Sequence, residues 1–333
     1  MRGLKVYDQI SGNLEKTVEE WKILGFDTVF PYPDYVENSL FLSLIERHEI
    51  NLFLTVPVFY NPKALDRNPK LYAIKADGTP AIRDWVRFVC PSKHDYKEKR
   101  LQDIISMIRK YRPSGISLDF IRFFVFWEKV FPETPASELP QTCFCPDCIN
   151  SFSQFADLDI RTTSPEKAAA IILKNHKQEW KAWKCHVITE TVKEFAQAIR
   201  AEDKNIKINL HVVPWMTGEF DDAIKRIAGQ DIEALSEIAD YISPMCYSHM
   251  LRRPPQWINK VVADMNKQSK VPIIPCIQVA ETYRPEPFTD KGFASAVQSA
   301  LAKPSAGIII WSWKALEASE QKKRIIAKAL SRE

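Results

Sequence analysis

Three cysteines crowd into the six residues Cys143-Phe-Cys145-Pro-Asp-Cys148, and a fourth stands in Phe88-Val-Cys90-Pro91. Four thiolates in this pattern suit a tetrahedral zinc, and a tight turn that already holds three of them loses little further entropy on coordination. A four-cysteine shell leaves no coordination position open, so such a zinc would staple loops and activate no water. Reduced thiols without metal, or a disulfide with spare thiols, are the alternative. Cys185, Cys246 and Cys276 stand apart and read as small apolar residues.

A carboxylate offers a second kind of chemistry. In Gly115-Ile-Ser-Leu-Asp119-Phe-Ile-Arg122-Phe123, strand alternation puts Ile116, Leu118 and Phe120 on one face and Ser117 and Asp119 on the other. With the apolar face against outer helices, Asp119 points inward, where a carboxylate must be paired, solvated or used. Arg122 would hold it ionised or bind substrate hydroxyls. The plainer alternative is that Asp119 pairs with Arg122 and supports the fold. Polar and aromatic residues recur at other strand ends: His211, Trp215, Tyr247, His249, Gln278, Trp311 and Trp313. Flat aromatic rings stack on the C–H faces of pyranoses, and Gln, His and Tyr orient hydroxyls, although each alone could equally be a core residue.

The elements that must position these groups follow from the hydrophobic pattern. Strand-like runs at 4–8, 27–32, 51–59, 115–123, 207–215, 240–247, 272–280 and 307–313 alternate with segments of helical period. Gly25, Gly115 and Gly307 stand where a helix should stop and a strand begin. Trp180, Trp183, Val187, Thr191, Phe195 and Ile199 form an apolar stripe on one helix. Eight strand–helix units with no linker or change of composition over residues 1–333 predict an α/β fold, a single (β/α)8 TIM barrel. In that fold function gathers at the C-terminal strand ends, so the long loops after strands 3 and 4, at about 60–93 and 124–164, are expected to be functional and joined by the zinc.

Val89-Cys90-Pro91-Ser92, Gly115-Ile-Ser-Leu-Asp119 and Cys143-Phe-Cys-Pro-Asp-Cys148-Ile-Asn-Ser-Phe152 resemble the middle of certain barrel glycoside hydrolases. The hypothetical glycosyl hydrolase group is the nearest likeness, and the zinc-containing family 42 β-galactosidases are more distant. Asn68-Pro-Lys-Leu-Tyr72 and Asp77-Gly78 resemble the third loop of the former. Carried over, the resemblance assigns Cys90, Cys143, Cys145 and Cys148 to a structural zinc and implies glycosidase activity on an oligosaccharide or glycoside. The segment around Asp119 is also similar to the fourth strands of retaining α-glycosidases, where an aspartate is the nucleophile. Family 42 has an Asn-Glu pair where this chain has Leu118-Asp119, so β-galactosidase activity is not carried over.

Glycoside hydrolysis needs a second carboxyl group, kept protonated to assist the leaving oxygen. Glu281, just past strand seven, is the first choice, because that strand commonly carries a catalytic carboxylate in glycosidase barrels. Asp8, Glu219, Asp221 and Glu317 are the alternatives. Without a second acid within about 10 Å of Asp119, a catalytically inactive carbohydrate-binding barrel becomes the better reading. A cysteine-based redox or acyl-transfer enzyme would need one cluster thiolate free of metal beside a basic group.

Composition removes other classes. No two of the 9 glycines are two residues apart, so no G-x-G-x-x-G or P-loop exists and no nucleotide cofactor is expected. A net charge of +4 without a basic block argues against nucleic acid. The longest uncharged runs fall short of the ~18 apolar residues of a membrane span. Met1 to Val6 lead directly into a strand, so no signal peptide is read there. The six histidines include neither H-x-H nor H-E-x-x-H, against a catalytic barrel zinc.

Overall fold

The computed structural model describes residues 1–10, 12–160, 162 and 164–331. Parallel strands form one sheet: β1 (Arg2–Val6), β2 (Thr28–Pro31), β3 (Asn51–Pro57), β4 (Gly115–Asp119), β5 (Lys207–Val212), β6 (Tyr241–Pro244), β7 (Cys276–Gln278) and β8 (Ile308–Trp311). Successive strands pair from β1 to β6, and β8 pairs with both β1 and β7. The seam between β6 and β7 is closed by parallel bridges Ile242 to Ile273 and Met245 to Cys276. With helices outside, this is a (β/α)8 barrel.

Several strands are shorter than their apolar runs. The run 272–280 reduces to Cys276–Gln278, because Pro272 and Pro275 have no N–H to give to a ladder. The run from Gly115 stops at Asp119 because Phe120 takes a left-handed backbone, φ 51°. That turn leaves Asp119 at the open C-terminal rim.

The barrel interior is unusually polar. Ser243 donates to Asn209 (2.7 Å) and Asn209 donates to Ser117 (2.8 Å), a hydrogen-bonded rung across β6, β5 and β4. Below it the floor is aromatic: Phe30 and Phe53 pack with ring centroids 5.3 Å apart. Gly25 and Gly307 adopt positive φ, as their junction positions suggest, but Gly115 does not. Its missing side chain serves packing, since an added Cβ would lie 2.3 Å from the Phe53 ring. Gly115→Ala is therefore expected to destabilise the fold by about 1–3 kcal/mol through overpacking, measured by urea unfolding. A melt unchanged from wild type would contradict this account of the floor.

The long loops follow β3 and β4. The first carries the helix Pro62–Arg67 and a small ribbon, Ile82–Arg83 against Val86–Arg87. The second contains the helix Pro146–Ala156 and leads towards the helix Lys177–Glu202. They are tied by backbone pairing: the Phe144 N–H donates to the Ile74 carbonyl (2.9 Å), and Lys75 bridges Thr142. Trp180, Trp183, Thr191, Phe195 and Ile199 are buried along Lys177–Glu202, with Val187 at the stripe's edge. Trp180 stacks on Phe144 (4.9 Å), so the stripe packs directly on the cysteine-bearing loop.

Candidate active site and cysteine cluster

Asp119 ends β4 with its side chain inside the barrel mouth, as the alternation required, and is only 5% exposed. One carboxylate oxygen accepts the Phe120 N–H (2.7 Å), and the other lies 3.9 Å from the Lys5 ammonium. Lys5, on β1, is itself buried. The cation that reaches Asp119 is thus Lys5 and not Arg122. Arg122 is buried between rings, 4.7 Å from the Phe88 centroid and 5.3 Å from Phe120, and donates to the Val125 carbonyl (3.0 Å). Burial lowers its pKa to about 10 despite the opposing charges of Glu128 and Asp119.

These groups line one cavity of about 200 Å3 at the C-terminal face, and the cavity holds a carboxyl that strand-end reading missed. Glu128 lies in the single turn Trp127–Lys129 of the loop after β4 and is 8% exposed. Its Oε2 has no hydrogen-bond partner within the protein. Burial raises its pKa to about 7, the Arg122 guanidinium opposing and the Asp119 charge adding to the rise. Two carboxyl groups thus face one cavity in different environments, one paired with an ammonium and one desolvated. The signal available in the sequence was an acid directly after the apolar run Phe123-Phe124-Val125-Phe126-Trp127. Lys5 could have been found by parity, being on the inward face of β1 with Gly3.

The walls are aromatic. Tyr7 stacks on Tyr32 (4.1 Å), and Tyr247 stacks on Trp311 (4.6 Å) and packs against Trp127 (5.6 Å). Among the residues expected from strand ends, Arg122, Tyr247 and Trp311 line the cavity with Asp119.

The others are placed elsewhere. His211 is in the barrel interior beside Phe30, and burial, with Lys5 adding, holds its pKa down at about 3. Gln278 is a brace: it accepts the Met250 N–H (2.8 Å) and donates to the Ala280 carbonyl (2.8 Å). Trp215 packs on Phe220 and Trp313 on Trp21, both as buried core residues. His249 stacks on Phe288 (4.9 Å). Glu281 is exposed and accepts the Phe288 N–H (2.6 Å), and backbone hydrogen bonds hold its pKa below the usual range. Its neighbours Thr282 and Tyr283 line the cavity while its own carboxylate braces the loop. Glu281 is therefore not brought to Asp119. Of the alternatives, Asp8 pairs with Lys314, Glu219 with Arg253 and Asp221 with Arg226, while Glu317 acts on Tyr35; none lines the cavity.

The four cysteines of the sequence cluster meet in the interior. Their sulfurs lie within 4.8 Å of one another, Cys90 being 3.5 Å from Cys145 and 3.3 Å from Cys148. Sulfurs around a tetrahedral ion with bonds of ~2.3 Å would be about 3.8 Å apart, so the box has the right size for a metal. The Ile74 N–H points at the Cys143 sulfur (3.1 Å) and the Ser92 N–H at that of Cys90 (3.4 Å), the donors a thiolate ligand uses.

Solved structures that share this barrel include glycoside hydrolases. The glycoside hydrolase domain of PgaB (BpsB) from Bordetella bronchiseptica superposes with a TM-score of 0.72 at 13% identity, covering 98% of this chain and 97% of that one. The β-galactosidases of Halorubrum lacusprofundi (TM-score 0.70, 15% identity) and Marinomonas ef1 (0.71, 11%) cover 99% of this chain. The chain spans 58% and 59% of the length of those two proteins. No family model matches the sequence, and no curated protein matches it. The likeness is one of fold.

Proposed function

We propose that the protein is a glycoside hydrolase in which Asp119 is the nucleophile and Glu128 the proton donor. The observation that carries this reading is the pair of carboxyl groups in one aromatic-walled cavity. Asp119 faces Lys5, whereas burial raises Glu128 to about 7. A buried carboxyl raised towards neutrality can supply the proton that glycoside cleavage needs, beside a second carboxylate free to attack. In this reading Glu128 gives its proton to the leaving oxygen as Asp119 attacks the anomeric carbon. Glu128 then takes a proton from the water that frees the sugar. Tyr247 and Trp311 offer apolar faces to the ring. A second carboxyl in the cavity favours catalysis over a barrel that only binds sugar.

Glu128 acts as an acid only while protonated, so activity is expected to be full below pH about 7 and to fall as pH rises through that value. Glu128→Gln is expected to lower the rate on alkyl glycosides by about 10²–10⁴-fold and to abolish this alkaline limb. Aryl glycosides with very acidic leaving groups should lose far less, since they need no proton. A Glu128→Gln enzyme that keeps the wild-type alkaline limb would assign the acid to another residue.

We propose further that Cys90, Cys143, Cys145 and Cys148 hold a structural zinc. The sulfur box, its N–H donors and its four soft ligands support this, and the closed shell would supply mechanical linkage between the two loops rather than chemistry. The burial of all four thiols tells against a cysteine-based enzyme, and the zinc content of the purified protein tests between the two.

A further inference from the structure

Resting on the glycosidase reading of this cavity, we infer that Trp85 and Tyr283 form the subsite for the leaving group and restrict the protein to removing single sugars from a chain end. Trp85 comes from the turn of the ribbon after β3 and Tyr283 from the loop after β7, strands on opposite sides of the barrel. They meet over the mouth, where the Trp85 indole N–H donates to the Tyr283 hydroxyl (2.5 Å).

Both are 37–42% exposed, whereas Trp127 and Tyr247 deeper in the cavity are 1% and 4% exposed. The pair is therefore the boundary between cavity and solvent. It is also held firmly. Trp85 packs edge-on to Tyr60 and Phe126, each at 5.6 Å, and Phe126 packs on Tyr283 at the same distance. Tyr283 itself has φ 60°, a left-handed backbone that an aromatic residue adopts only when its surroundings impose it, and Phe120 across the cavity has φ 51°. The Lys129 ammonium lies 5.2 Å over the Tyr283 ring, and half-exposed aromatic side chains fixed in this way at the mouth are surfaces for a second pyranose ring.

Beneath them, about 200 Å3 is less than the ~300–1,000 Å3 of sites for drug-sized ligands, and suits one ring against the two carboxyl groups. Tyr7, Tyr32 and Trp311 wall the cavity, and the half-exposed clasp is where the inference places the rest of the chain. In each cycle the terminal C–O bond breaks, and water supplies a hydroxyl to the freed sugar and a proton to the shortened chain.

Binding of matched methyl and phenyl glycosides of common hexoses to the full chain carrying Asp119→Asn, followed by calorimetry, tests the clasp. Trp85→Ala in the same background is expected to weaken the phenyl glycoside about tenfold more than its methyl partner. Tyr283→Phe, which keeps the ring, should change that ratio much less. The wild type acting on an oligosaccharide of the bound sugar should release monosaccharide from the first time point. An equal effect of Trp85→Ala on both glycosides, or internal fragments among the first products, would overturn the inference. If no sugar binds at all, the glycosidase reading itself fails and the clasp with it.

Discussion

Asp119→Asn is expected to lower turnover of any glycoside that the protein cleaves by about 10⁶-fold, the scale on which enzymes lose rate when the group attacking the substrate is removed. The substitution is nearly isosteric and keeps an acceptor for the Phe120 N–H, but an amide does not attack an anomeric carbon. It also leaves the Lys5 ammonium, 3.9 Å away, without its charged partner. Breaking a buried pair from one side costs about 3–5 kcal/mol, so a thermal melt must accompany the assay. A folded Asp119→Asn protein without activity fits the account; a folded one with wild-type activity does not. Glu281→Gln, at a carboxylate that braces the Phe288 backbone, should stay within about twofold of wild type.

Loss of the metal is the second large effect. About one zinc per purified chain is expected, with a loss of about 4–5 kcal/mol or more in Cys145→Ser, because loss of a structural metal is among the few changes that reach such values. The mechanical reason is local. Cys90 lies near the end of the loop after β3 and the other three cysteines in the loop after β4, so the ion would hold together the two segments joined by the Phe144 to Ile74 hydrogen bond. Trp180, stacked on Phe144, would lose its support next. Metal analysis and thermal denaturation check this together. Since a zinc in this closed shell would take no part in the chemistry, the folded fraction of Cys145→Ser should keep the wild-type alkaline limb. Metal-free protein with four titratable thiols and full stability would contradict the assignment.

The barrel was legible because strand and helix periods alternate along the whole chain and parity is rigid within a strand. That same rigidity put Asp119 on the inward face of β4. The sequence does not carry the parity past the last ladder pair. Beyond Asp119 the backbone turns left-handed at Phe120, and the direction of Glu128 is set by packing of the apolar run before it, which alternation does not encode. The same limit explains Glu281, whose loop turns its carboxylate to a backbone N–H while its neighbour Tyr283 reaches the cavity. Depth was also illegible. His211 and Gln278 have inward parity, but one is in the barrel interior and the other braces a loop, whereas Tyr247 and Trp311 reach the cavity. Three of the four cysteines were legible from their short spacing, itself the geometry that a metal turn needs, whereas Cys90, far away in the chain, was joined to them by its place after the third strand and by the resemblance.

The most direct test is hydrolysis of a panel of aryl glycosides and glycan oligosaccharides by wild type, Asp119→Asn and Glu281→Gln side by side. At least one substrate should be cleaved by wild type and, at a similar rate, by Glu281→Gln, with cleavage lost in folded Asp119→Asn. Cleavage by Asp119→Asn at the wild-type rate, or a wild type that cleaves nothing in the panel, would contradict it.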